Sequence, residues 1–125
     1  MEDKLDKLKE IKDENIVWII YIGIIILSYY ANSKEVKYIL YNDEKSRRKY
    51  QNTMILIFTI LIIIYYHFTK SSYENIKKLN INDSEKKKIL TFASYIGAIL
   101  VLISGIIFLT IAVLDEEIEV EIAFN

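Results

Sequence analysis

At 125 residues, with 53% apolar side chains and a positive mean hydropathy, the chain is one domain and too apolar for a small soluble protein. A net charge of −1 excludes the strongly basic balance of a nucleic-acid binder. The absence of Cys excludes disulfides, thiolate catalysis and Cys-ligated zinc, and the absence of Pro excludes proline kinks.

The charges fall in four blocks separated by three apolar runs, 16–31, 53–69 and 89–114, none of which contains Asp, Glu, Lys or Arg. This segregation predicts an all-α integral membrane protein with three transmembrane helices, a short N-terminal amphipathic helix and an acidic extended C-terminal tail. Residues 1–125 are read as a single membrane domain.

Residues 1–15 carry Leu5, Leu8 and Ile11 near one helical face, with Asp3/Lys7 and Lys9/Asp13 at i,i+4 spacing, which predicts a short lead-in helix. Its narrow stripe and mixed charge do not suit strong membrane binding. The first span, 16–31, opens on Trp18 and Tyr21 and closes on Tyr29 and Tyr30, aromatic residues suited to a membrane interface. It is expected to stay attached, because the segment before it is more acidic than basic and Tyr29 and Tyr30 occupy the place where a signal cleavage site needs small side chains.

Residues 32–52 are read as a loop, with one or two helical turns around Val36, Ile39 and Leu40 and a turn at Asn42-Asp43. From Glu44 no Gly occurs until Gly97, so helix is expected from about Glu44 through the second span, 53–69, to about Leu79. Tyr65 and Tyr66 mark the end of that span. The loop 70–88 breaks at 80–84, where Asn82 and Glu85 resemble a capping box with Asn in place of Ser or Thr.

The third span, 89–114, is the longest, at about 39 Å as helix against a hydrocarbon core of about 30 Å. Helices in lipid associate through close packing at small residues rather than through the hydrophobic effect. Ala93, Ser94, Gly97, Ala98 and Gly105 are therefore the candidate packing stripe, for another span of this chain, for a second copy or for a foreign membrane protein. The tail, 115–125, has five acids and no base, and its acid/apolar alternation from Glu117 to Ile122 suits an extended segment.

Orientation follows from the bases. Residues 1–15 with 70–88 carry ten Lys or Arg, against six in 32–52 with the tail. The N-terminus is therefore expected on the cytoplasmic side and the C-terminus outside. Each side pairs opposite net charges under either orientation. Arg47, Arg48 and Lys49, and Lys86, Lys87 and Lys88, are candidate contacts for lipid headgroups of the bilayer.

Chemistry is thinly represented. His67 is the only histidine, which excludes a multi-histidine metal cage, and three glycines within spans exclude a phosphate-cradling loop or a dinucleotide fingerprint. Transporters, pumps and intramembrane hydrolases use ionisable groups at depth, and the runs hold none. Thr59, Thr91, Ser94 and Ser104 are expected to bond helix backbone rather than to line a path. The expectation is a non-catalytic accessory, assembly or regulatory subunit of a membrane complex, with no cofactor, no metal and no nucleic-acid partner. The alternative is an oligomeric pore-forming protein, holin-like in size and span number.

Overall fold

The computed structural model describes residues 2–114, with side chains from Lys4 onward. Three helices follow in order, α1 (Glu2–Tyr41), α2 (Glu44–Lys77) and α3 (Glu85–Leu114), and no strand occurs among the described residues. All three are long and apolar enough to cross a membrane, which is compatible with a multi-pass membrane protein. The predicted acidic tail lies outside the described residues.

α1 departs from the segmentation expected of it. The sequence pattern predicts a separate lead-in helix, a span and a loop over residues 1–41, and the structure has one helix of 40 residues there. Neither expected boundary carries a Gly or a Pro, and at the second one Ser33 turns its hydroxyl onto the Tyr30 carbonyl (2.7 Å), a bond made inside the helix. At about 60 Å, α1 is twice the thickness of a hydrocarbon core, so charged helix extends beyond both ends of its apolar run. Lys34 stands over the Tyr30 ring at one end, and Trp18 and Tyr21 meet edge to face at the other.

The break between α1 and α2 is only two residues long, at the predicted Asn42-Asp43 turn. Asn42 adopts φ 51°, a left-handed conformation that Asn tolerates, and its amide donates to the Tyr38 carbonyl (2.8 Å), closing α1 with a left-handed cap. Asp43 then starts α2. One carboxylate oxygen accepts from the Lys45 amide (3.1 Å) and the other from the Ser46 hydroxyl (2.8 Å).

The Ser46 hydroxyl bond holds the Asp43 carboxyl below its ordinary value of 3.8, and the backbone amides of Lys45 and Ser46 add to this. A carboxyl with a lowered folded-state value contributes stability above its unfolded value, and that contribution is lost as pH falls through the folded one. An NMR titration of Asp43 is therefore expected to show a midpoint below 3.8, with the first turn of α2 loosening through that midpoint and not at neutral pH. A midpoint above 3.8 would contradict the clamp.

The chain divides into two compact units at the Thr53–Met54 bond within α2. In the first, which holds α1 and the start of α2, the buried residues are Ala31, Ser46, Tyr50 and Thr53. The second is the hairpin made by the rest of α2 with α3. Its core is large on one side and small on the other: Met54, Ile57, Phe58 and Ile64 from α2, Gly105 and Ala112 from α3.

Three contacts set the hairpin's register. Phe58 meets Phe108 (ring centroids 5.7 Å), Ile62 and Tyr65 lie against Gly105, and Tyr73 meets Tyr95 (5.8 Å). Counting outward from these pairs, Met54 lies level with about Val113 and Thr69 with about Ala98. The apolar run of α2 is thus matched by the second part of α3's run, and the whole excess of α3, residues 89–97, lies beside the charged end of α2.

At the turn, the Asn80 amide donates to Asp83 (2.8 Å) and the Asp83 amide to the Asn80 carbonyl (3.0 Å). α3 is capped by Ser84, whose hydroxyl accepts from the Lys87 amide (3.1 Å). The expected cap at Asn82 is therefore corrected by two residues. Asn82 lies inside the turn that Asn80 and Asp83 close, and the hydroxyl of Ser84 is the one next to the first helical residue.

Candidate helix-packing and headgroup sites

The small residues of α3 divide between two faces. Ala98, Gly105 and Ala112 recur every seven residues, close to two helical turns, and so share one side. Gly105 and Ala112 are buried and Ala98 is half-buried. A β-carbon on Gly105 would stand 3.3 Å from both Ile62 Cγ1 and Tyr65 Cδ2, so α2 approaches the α3 backbone more closely than most side chains permit. This row is the packing surface of the hairpin.

Ala93, Ser94 and Gly97, the other members of the predicted stripe, are exposed, and among the described residues nothing lies within 4 Å of where a Gly97 β-carbon would stand. Ala93, Gly97 and the exposed Ser104 fall on a second side of α3. The predicted stripe is therefore two rows in the structure. The seven-residue spacing of Ala98, Gly105 and Ala112 is the signal for the packed row; spacings of four and eight combine residues from both.

Seven hydroxyls of the helices bond the backbone one turn back. Thr59 donates to the Ile55 carbonyl, Thr91 to Lys87 and Ser104 to Leu100, each four residues back, as do Ser28, Thr53, Thr69 and Thr110. His67 is exposed and its ring lies 6.1 Å from that of Phe68. No group of three or more His, Cys, Asp or Glu able to hold a metal ion occurs among the described residues.

The two basic clusters differ. At the start of α2, Arg48 and Lys49 are exposed while Arg47 is half-buried. At the start of α3, Lys87 pairs with Asp83 (3.2 Å), and Lys88 pairs with Glu85 (3.6 Å) and donates to the Ile81 carbonyl (3.2 Å). The amide of Asn80, aided by Lys87, holds the Asp83 carboxyl below its ordinary value. Lys86, between the turn and the apolar run, is exposed and takes part in none of the described ion pairs.

Comparison of the chain with protein families, curated proteins and solved structures finds no match. The functional reading therefore rests on the residues themselves.

Proposed function

We propose that this chain is a three-span membrane protein, N-terminus cytoplasmic and C-terminus outside, that works without catalytic chemistry of its own as an accessory, assembly or regulatory subunit of a membrane complex. The observation that carries the reading is the second row of α3. One row of small residues is spent on α2, and Ala93, Gly97 and Ser104 present a second side with no partner against Gly97 among the described residues. In lipid such a row is where a further helix approaches. The satisfied hydroxyls and the uncharged runs support a packing role over a polar conduit.

Purification from the native membrane in mild detergent, at native expression, with the mass of the intact complex, tests this. A stoichiometric foreign chain is the expected result, and Gly97→Leu is expected to weaken that complex about tenfold or more by holding the helices apart. A homo-oligomer with no foreign chain overturns the subunit reading in favour of the pore-forming one, and a lone monomer overturns both.

A further inference from the structure

The excess of α3 beyond α2 places charge and apolar surface at the same depth. A hydrocarbon core of about 30 Å takes about 20 residues of helix. With its far edge at Leu114, its near edge falls at about Tyr95, which meets Tyr73 of α2 at 5.8 Å between ring centroids. Paired tyrosines at that level fit a membrane interface, where their rings bury and their hydroxyls stay wet. Beyond it, Ile89, Leu90 and Phe92 are exposed.

Around this level the segment 70–88 carries six Lys and three acids. Each acid holds one Lys: Glu74 with Lys77, Asp83 with Lys87, Glu85 with Lys88. Lys70, Lys78 and Lys86 take part in none of these pairs and are exposed, and they account for the segment's net charge of +3. Lys70 lies about one turn below the Tyr73 level, a depth from which the apolar stem of a Lys lets its ammonium reach the headgroups. Lys78 and Lys86 lie above the Tyr73–Tyr95 level, on the water side.

We propose that this end of the α2–α3 hairpin is a docking surface for anionic phospholipids, with their phosphates held between Lys70 from the membrane side and Lys78 and Lys86 from the water side. Charge complementarity selects the headgroup. The proposal rests on the membrane reading above.

The test is the full chain reconstituted in phosphatidylcholine vesicles containing a minority of phosphatidylglycerol, with spin-labelled forms of each lipid reporting which is retained at the protein surface. Phosphatidylglycerol is expected to be preferred, by about fivefold for each contributing Lys. K70Q/K78Q/K86Q is expected to abolish the preference. K77Q/K87Q/K88Q, with the same change in net charge, is expected to keep most of it. Equal loss in the two triple variants, or no preference in the unaltered chain, overturns the lipid site while leaving the membrane reading intact. Failure of the chain to insert even in neutral vesicles overturns both.

Discussion

Gly105→Leu is expected to destabilise the α2–α3 hairpin by about 1–3 kcal/mol, while Gly97→Leu, on the same helix, leaves it unchanged within about 0.5 kcal/mol. The β-carbon alone would stand 3.3 Å from Ile62 and Tyr65 side-chain atoms, and the three further carbons of Leu have to be placed in the same space. The Ile62 and Tyr65 side chains can move by tenths of an ångström for a methyl group. An isobutyl group separates the helices instead. At Gly97 nothing stands within 4 Å, and Leu is the better helix former of the two. Unfolding of the helix pair in mixed detergent micelles reads the contrast: Gly105→Leu should come apart at lower denaturant than the unaltered chain, and Gly97→Leu at the same midpoint. Equal midpoints for the two variants would mean that Gly105 is not the point of closest approach.

The second large effect is topological. With three spans, the α1–α2 turn and the α2–α3 turn face opposite sides of the membrane, and in a chain without Cys a single introduced thiol reports its side. Tyr41 and Ile81 are the positions to use, being 75% and 93% exposed. Ser46 is unsuitable although it lies near the same turn, since it is buried and its hydroxyl holds Asp43. In sealed inverted vesicles, an impermeant thiol reagent is expected to label Tyr41→Cys and Ile81→Cys in mutually exclusive fashion. For the proposed orientation, Ile81→Cys is the one labelled from the cytoplasmic face. Labelling of both from one side removes a span.

Stability of the capped ends adds a smaller, acid-dependent term. Asp43 and Asp83 both accept bonds that favour the ionised carboxylate, so both turns hold at neutral pH and weaken only as those carboxyls protonate.

The three helices were legible in the residues because in lipid the requirement is local. An uncharged run of sufficient length must be helical to satisfy its own backbone, whatever it packs against. The Asn42-Asp43 turn was legible for a similar reason, since Asn accepts the left-handed conformation and Asp caps the following helix. The continuity of α1 was not, because a helix persists through polar residues wherever nothing breaks it, and hydropathy marks the edge of a run rather than the end of a helix. The cap of α3 turned on two residues of chain direction that Asn82 and Ser84 serve about equally well on paper.

Which small residues pack was decided by tertiary structure alone. Ala93, Gly97, Ala98 and Gly105 are all small, and only the approach of Ile62 and Tyr65 separates the row that meets α2 from the row that does not. Register was decided there too. The amino-acid order shows that α3's run is longer than α2's, but only the pairs Phe58–Phe108 and Tyr73–Tyr95 place all of the excess at one end, beside Lys70 and Lys77. Length and polarity are properties of each helix by itself and are written in its own residues; depth and facing belong to a pair of helices, and are set by where large side chains of one meet small ones of the other.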